Sequence, residues 1–125
     1  MIIRGDILLV DLSKGKRTII GSEQYGYRPC IVVSNNVCNR FSPTITVVPI
    51  STKRSNNVMP TQFFLDPRKY NVEAGSRVLG EQIITISLER ICRPTYARLD
   101  EEDMRTLEKV LAIQLGLPNP APSLV

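Results

Sequence analysis

Short apolar runs separated by turn-rich polar stretches fill the first hundred residues. The runs are rich in β-branched or aromatic side chains and are bounded by Gly, Pro, Asn or Ser, a pattern that predicts β-strands. Gly80 requires a close backbone approach or a bulge, Pro49 suggests an edge strand or a bulge, and Pro94 should break the last strand. The predicted strands are DILLVDL (6–12), RPCIVVSNN (28–36), FSPTITVVPIST (41–52), TQFFL (61–65), SRVLGEQIITI (76–86) and ERICRPTYARL (89–99), with DPRKYNVEAG (66–75) as a loop.

The pattern changes period after Asp100. Apolar residues recur every three to four positions at Met104, Leu107, Leu111 and Leu115, behind an acidic first turn, and Gly116 with Pro118 then stops the pattern. This is typical of one amphipathic helix. The sequence therefore predicts a mainly β fold with a C-terminal helix, built as a strongly bent sheet or partly open barrel. We expect a single domain over residues 1–117 and a flexible, Pro-rich tail over residues 118–125.

Composition narrows the possible chemistry. The 125 residues have a net charge of +4, contain no histidine, and include three cysteines without C-x-x-C spacing. Histidine-based catalysis is excluded, neither a zinc site nor a disulfide framework is indicated, and we expect buried or inert thiols. No apolar run is long enough for a membrane helix, so we expect a cytoplasmic protein.

Two strand ends carry groups suited to a phosphate. Arg28 follows a glycine-bearing loop and offers a planar fork of donors, although it could also be a solvated charge that discourages edge pairing. Ser51 and Thr52 are followed by Lys53 and Arg54, which together could hold a phosphate or form an ordinary polar turn.

Glu81 and Gln82 interrupt an apolar run. A two-residue period places Glu81 on the same face as Leu79 and Ile83, where a partly buried carboxylate could act as a general base, whereas a bulge at Gly80 would turn it to water. Tyr25 could stack on a base, while Phe63 and Phe64 are interpreted as core residues.

Several of these segments together resemble the MazF/PemK toxins. The matching motifs are RGD (4–6), GSEQ.G.RP (21–29), NRFSPT (39–44), PT (60–61), EQI.T (81–85) and LGL (115–117), and their order covers the chain up to about residue 117.

The resemblance implies an SH3-like barrel that forms a homodimer and acts as a metal-independent endoribonuclease without a cofactor. Its substrate would be single-stranded mRNA, cut at a short motif to leave a 2′,3′-cyclic phosphate and a 5′-hydroxyl, and U-A-C-A-U is the suggested motif. Its partner would be a MazE-like antitoxin whose acidic segment occupies the RNA groove.

Residue by residue, the resemblance places the catalytic arginine at Arg28 and the catalytic hydroxyl at Ser51, where relatives usually have threonine. Thr52 is the alternative hydroxyl, and Glu81 is our candidate base. The implied RNA-groove residues are Glu23, Gln24, Glu81 and Gln82, and close relatives have arginine in place of Ile84. Tyr25, Lys53 and Arg54 complete the candidate RNA-binding set.

Two other functions remain open at this point. The same barrel carries CcdB-type toxins that bind gyrase without nuclease chemistry, and a non-catalytic RNA-binding relative would also fit the fold. A nuclease that depends on the ribose 2′-hydroxyl would bind DNA without cutting it.

Overall fold

The computed structural model describes residues 1–13, 20–21, 23–52 and 57–118. Within these ranges the fold is mainly β, with one long helix at the C-terminal end, as predicted. The strands are β1 (Asp6–Asp11), β2 (Tyr27–Val32), β3 (Thr44–Ser51), β4 (Gln62–Phe64), β5 (Arg77–Leu79), β6 (Ile84–Ser87) and β7 (Ile91–Arg98), and the helices are α1 (Asn36–Phe41), α2 (Pro67–Tyr70) and α3 (Glu101–Leu115). None of the helices in these ranges is long and apolar enough to cross a bilayer.

The seven strands form one antiparallel sheet in the order β4-β5-β3-β2-β1-β7, with β6 pairing separately with β3. β3 is the centre of this arrangement because it pairs with β2, β6 and β5 along its eight residues. The prediction of an edge strand at Pro49 is therefore wrong. Pro49 lies where the partner changes, since pairing with β6 ends at Val47 and pairing with β5 begins at Ile50.

Both faces of the sheet are buried. One face, which includes Ile7 and Ile31, packs against α3 through Leu107 and Val110. The opposite face holds a second cluster that includes Leu8, Val10 and Cys30. Alternate residues of β1 thus enter different cores, as the two-residue strand period requires.

Helix α3 has the predicted ends. The Asp100 carboxylate accepts a 2.8 Å hydrogen bond from the Asp103 backbone N–H, and Gly116 ends the helix in a left-handed conformation with φ 67°. The predicted apolar face is only partly correct. Leu107 is buried, and Met104 and Leu111 pack against the core, but Leu115 is 52% exposed and Val110 is a core residue that the pattern did not single out.

Two short helices were not predicted. Residues 36–41 form α1, whose N-terminus is capped by the Asn35 side chain. The sequence pattern instead predicts that one strand ends at Asn36 and that the next begins at Phe41. α2 occupies the segment predicted as a loop, because Asp66 accepts from the Arg68 backbone N–H and Pro67 fits the first helical position.

The prediction of one strand over residues 76–86 is wrong. The chain forms β5, then a 3-10 helical turn over Gly80–Gln82, then β6. The expected close approach at Gly80 is confirmed, since a Cβ there would lie 2.6 Å from the Thr61 carbonyl oxygen. The Gly80 N–H donates to that same oxygen at 2.9 Å, which holds the turn against the start of β4.

β7 continues through Pro94 instead of being broken by it. Ile7 pairs with Ala97 and Leu9 pairs with Arg93, so the register shifts across the proline. Among the described strands β7 pairs with β1 alone and lies at the edge of the sheet, where a residue without an N–H is tolerated.

Candidate functional site

A cleft of about 220 Å³ opens between the segment before β2 and the 3-10 turn. Its polar wall consists of Glu23, Gln24, Glu81 and Gln82, the four residues that the sequence resemblance places in an RNA groove. Its apolar wall consists of Leu12, Pro49, Ile83 and Ile84. Residues separated by more than fifty positions in the sequence thus meet in one cleft that offers both hydrogen-bonding groups and an apolar surface.

Arg28 is tied to this cleft through Gln24. Its Nε donates to Gln24 Oε1 at 3.4 Å, and one of its terminal nitrogens donates to the Tyr27 carbonyl oxygen at 3.3 Å. The guanidinium also lies 5.8 Å from the centroid of the exposed Tyr25 ring. The segment that carries Glu23 and Gln24 therefore packs over a half-buried cation at the start of β2.

The strand register brings Arg28 and Ser51 to corresponding positions. In the β2–β3 ladder Cys30 pairs with Pro49, and Arg28 and Ser51 each lie two residues beyond that pair. The pairing itself ends at Cys30 and Pro49, and the two-residue strand period puts the Arg28 and Ser51 side chains on the same face as that pair. A guanidinium and a hydroxyl at such positions can contact the same phosphate.

The two candidate hydroxyls differ in exposure. Ser51 is the last residue of β3 and is 8% exposed, whereas Thr52 lies just outside the strand and is exposed. Ser51 pairs with Arg77 of β5, so its backbone is fixed on the sheet. The geometry therefore favours Ser51 as a rigidly placed group and Thr52 as an accessible one.

Glu81 lies in the 3-10 turn, so the predicted strand face shared with Leu79 and Ile83 does not exist. Its carboxylate is half-buried and accepts two hydrogen bonds, one from Thr61 Oγ1 at 3.2 Å and one from Gln62 Nε2 at 2.7 Å. These contacts from the start of β4 hold the carboxylate at the cleft wall. Thr61 of the PT motif (60–61) thus contacts Glu81 of the EQI motif (81–83).

Two polar residues near the cleft were missed in the sequence. Gln62 donates to Glu81, and Arg77 donates to the Gln62 side-chain oxygen at 3.2 Å. Arg77 is buried, with 6% of its surface exposed. The available signal was a cation inside the apolar run RVL, because a charge in a strand core is uncommon without partners.

Four other residues singled out in the sequence remain to be placed. Lys53 and Arg54 lie outside the described residues. Phe63 packs against the core as predicted, but Phe64 is 55% exposed, so its interpretation as a core residue is wrong.

The thiols also differ from one another. Cys30 is buried, and burial raises the pKa of its thiol to about 12. Cys38 and Cys92 are exposed, so of the predicted buried or inert thiols these two are not buried. Within the described ranges no group of three or more Cys, Asp or Glu residues is arranged to hold a metal ion.

Comparison with known sequences gives a family. The model for PemK-like, MazF-like toxins of type II toxin-antitoxin systems matches residues 3–115. The chain belongs to the MazF/PemK toxin family. Endoribonuclease EndoA of Bacillus subtilis (strain 168) is 39% identical over 114 residues, which cover 91% of this MazF/PemK toxin and 94% of EndoA.

Solved structures agree with the fold of this MazF/PemK toxin. A mycobacterial endoribonuclease in complex with its cognate antitoxin superimposes with a TM-score of 0.75 at 24% identity, covering 96% of this chain and 100% of that chain. MazF (Form-I) from Deinococcus radiodurans gives a TM-score of 0.75 at 18% identity, covering 92% of this chain and 96% of that chain. The predicted barrel-like toxin fold is confirmed at this level.

Proposed function

We propose that this toxin is a metal-independent endoribonuclease that cuts single-stranded mRNA within a short motif and so arrests translation and growth. The observation that carries the proposal is the cleft that joins Glu23, Gln24, Glu81 and Gln82, with Arg28 bonded to Gln24 at its edge. Membership in the toxin family and the 39% identity to an endoribonuclease support it.

The cleft suits an unpaired RNA strand. Carboxylate and amide groups can form hydrogen bonds with base edges that a single strand leaves accessible, and the apolar wall can pack against base faces. Tyr25, which is 58% exposed beside Arg28, offers a further stacking surface. A duplex would hide the same edges, so the proposed substrate is single-stranded.

The chemistry requires one proton transfer at each end of the reaction. The ribose 2′-oxygen attacks the adjacent phosphorus, Glu81 takes the 2′-hydroxyl proton, the bond from phosphorus to the 5′-oxygen breaks, and water protonates the leaving oxygen. Arg28 stabilises the additional negative charge on the phosphorane, and the Ser51 hydroxyl donates to a phosphate oxygen. The products are a 2′,3′-cyclic phosphate and a 5′-hydroxyl.

The proposal extends to the molecule as a whole. Residues 1–117 are the proposed toxin domain, and the protein acts in the cytoplasm. The predicted tail over residues 118–125 lies, from residue 119 onward, outside the described residues. Its proposed regulator is a MazE-like antitoxin whose acidic segment competes with RNA for the cleft. A mycobacterial endoribonuclease of similar fold has been solved in complex with its cognate antitoxin, which supports an antitoxin partner.

We also propose a homodimer that uses the surface beside α1 and α3. This surface contains a cavity of about 550 Å³ with apolar walls that include Val33, Ile45, Leu111 and Leu115. Ile83 lines both this cavity and the RNA cleft, so a second copy bound here would adjoin the cleft.

The test is cleavage of a long single-stranded RNA in the presence of EDTA, with new 5′ ends mapped by primer extension. We expect discrete cuts within one motif, and a loss of more than about 100-fold in rate for Arg28→Ala, because charge stabilisation in the transition state is removed. Arg93→Ala is the matched control, since Arg93 stacks on Tyr96 on β7 and contacts neither Gln24 nor the cleft.

Intact RNA beside an active relative would contradict the proposal and favour a toxin that binds a protein, such as gyrase. Retained RNA binding without any cuts would instead indicate a non-catalytic RNA-binding relative. An Arg28→Ala variant as active as wild type would remove Arg28 from the mechanism.

A further inference from the structure

Arg77 is a buried cation that the proposed mechanism does not use. It lies in β5, with only 6% of its surface exposed. One of its terminal nitrogens donates to Gln62 Oε1 and to the Asn57 carbonyl oxygen, each at 3.2 Å. Burying a guanidinium is costly unless its polar partners compensate, so the contacts of Arg77 are informative.

Arg77 lies in β5, between β3 and β4, and pairs with one residue of each strand. It pairs with Ser51 of β3 on one side and with Phe64 of β4 on the other. Directly paired residues point to the same face of a sheet, with their Cα atoms about 5 Å apart. The Phe64 ring centroid lies 5.3 Å from the Arg77 guanidinium carbon, which fixes the far side of the cation.

Arg77 also determines how Gln62 is oriented. A glutamine amide can present either its oxygen or its nitrogen, and the choice follows from its partners. The Arg77 guanidinium and the Met59 backbone N–H both donate to Gln62 Oε1, so its nitrogen must face the other way. That nitrogen donates to Glu81 at 2.7 Å.

We propose that Arg77 and Gln62 are positioning residues for RNA cleavage, which together hold the Glu81 carboxylate in place. The inference rests on the proposed function, since the proposed function assigns Glu81 to the reaction. Neither Arg77 nor Gln62 lines the cleft, so both act through residues that do.

Loss of the Arg77 side chain should lower the rate of cleavage but not the affinity for RNA. Without Arg77 the Gln62 side-chain oxygen loses its closer donor and keeps the Met59 backbone N–H at 3.4 Å, so the amide is held less firmly. In molecules where the amide reverses, it would present its oxygen to the Glu81 carboxylate. Repulsion would displace the carboxylate from the 2′-hydroxyl, and displacements near 1 Å cost rates of about 100-fold. The groups that line the cleft would remain, so RNA affinity should change little.

The first experiment compares steady-state cleavage of a short RNA containing the mapped motif. Arg77→Met should lower kcat by about 10- to 100-fold while KM changes by less than about threefold, because the loss is one of geometry in the transition state. Arg77→Lys, which keeps the charge and can donate one bond to Gln62, should recover part of kcat.

Arg98→Met is the matched control for loss of stability. Arg98 donates at 2.6 Å to the fully buried Asp6 carboxylate, at the end of β1 opposite the Arg28 position. Arg98→Met removes this partner from the buried Asp6 carboxylate. The melting temperature of Arg98→Met should therefore fall at least as far as that of Arg77→Met. Its kcat below the melting transition should stay within about twofold of wild type.

A second measurement tests the hydrogen bond between Arg77 and Gln62 directly and does not depend on RNA cleavage. NMR exchange of the Gln62 side-chain amide protons, assigned by their loss in Gln62→Leu, should be slow in wild type and at least about tenfold faster in Arg77→Met. Equal exchange rates would overturn the proposal even if the wild-type chain cut no RNA.

The two proposals therefore fail in different ways. A wild-type chain that cuts no RNA removes the proposed function. If the wild-type chain cuts RNA but Arg77→Met keeps the wild-type kcat, the positioning role is wrong and the proposed function stands. The same holds if Arg98→Met loses as much kcat as Arg77→Met.

Discussion

Ser51 and Thr52 are neighbours in the sequence, yet the structure gives them different surroundings. Ser51 ends β3 in a buried position opposite Arg77, while Thr52 is exposed beyond the strand. A group that stabilises a transition state works best when its position is fixed before the substrate binds. At the scale of single residues, Ser51 is therefore the better candidate for the hydroxyl.

Ile84 allows a prediction about specificity. It lines the cleft with an apolar side chain, at the position where the resemblance implies an arginine in close relatives. Ile84→Arg should change the motif at the cut sites and lower kcat/KM at the original motif by about tenfold, because a guanidinium favours bases with acceptor edges. Sequencing of cleaved ends from a transcript pool measures both effects.

Ile84→Leu is the control, since it keeps the apolar wall. Its motif should match wild type, and an unchanged motif in Ile84→Arg as well would show that residue 84 does not read bases.

The sequence predicted individual residues better than their surroundings. The resemblance placed Glu23, Gln24, Glu81 and Gln82 in one groove, and they do line one cleft. Arg77 could not be assigned in the same way, because its role depends on which strands flank β5. That information lies in the pairing of Ser51, Arg77 and Phe64 and not in local sequence.

At the scale of elements, α3 is held to α2 by a polar cluster at its N-terminus. The Asp100 carboxylate accepts from the Asp103 backbone N–H and forms a 2.9 Å ion pair with Lys69. The backbone hydrogen bond, and then the Lys69 contact, lower the pKa of Asp100 below its ordinary value of 3.8. The same ion pair raises the pKa of Lys69.

The sign of the resulting pH dependence follows from these directions. The contribution of Asp100 is complete above its unfolded pKa and is lost as pH falls through the lowered folded value. Asp100→Ala should therefore reduce the melting temperature by several degrees at pH 7 but by much less near pH 2, as measured by circular dichroism.

Asp100→Asn is the matched variant, because an amide oxygen still caps the helix while the ion pair is lost. Its melting temperature should lie between those of wild type and Asp100→Ala at pH 7. A difference between wild type and Asp100→Ala that stays constant with pH would contradict this account of the cap.

Element boundaries were hardest to predict where tertiary contacts replace local preference. The run around Gly80 has the composition of one strand, but the Thr61 carbonyl oxygen lies too close for a side chain and forms a hydrogen bond that a 3-10 turn accommodates. The α3 boundaries were predictable because Asp100 and Gly116 are local capping signals.

At the scale of the whole molecule, the proposed homodimer places function on two adjoining surfaces. The RNA cleft and the apolar cavity beside α3 share Ile83, so assembly and catalysis would be neighbours. A dimer would also cover apolar side chains that one chain leaves in water, among them Leu115.

Leu115→Glu should shift the protein from dimer toward monomer, because a charge would be buried at the interface. Light scattering during size-exclusion chromatography measures the mass directly. Ile113→Glu is the control: Ile113 is 50% exposed, similar to Leu115 at 52%, but its side chain points about 160° away around the helix and does not line the cavity. Equal behaviour of the two variants would contradict the assigned dimer surface.

The central claim is that a ribose 2′-hydroxyl is the nucleophile, and one measurement tests it most directly. An RNA oligonucleotide carrying the mapped motif is compared with the same oligonucleotide bearing a single 2′-deoxynucleotide on the 5′ side of the cut, with products weighed by mass spectrometry. We predict cleavage of the first to a 2′,3′-cyclic phosphate and a 5′-hydroxyl, and no cleavage of the second at that position. Cleavage of the deoxy-substituted bond at a comparable rate would contradict the account.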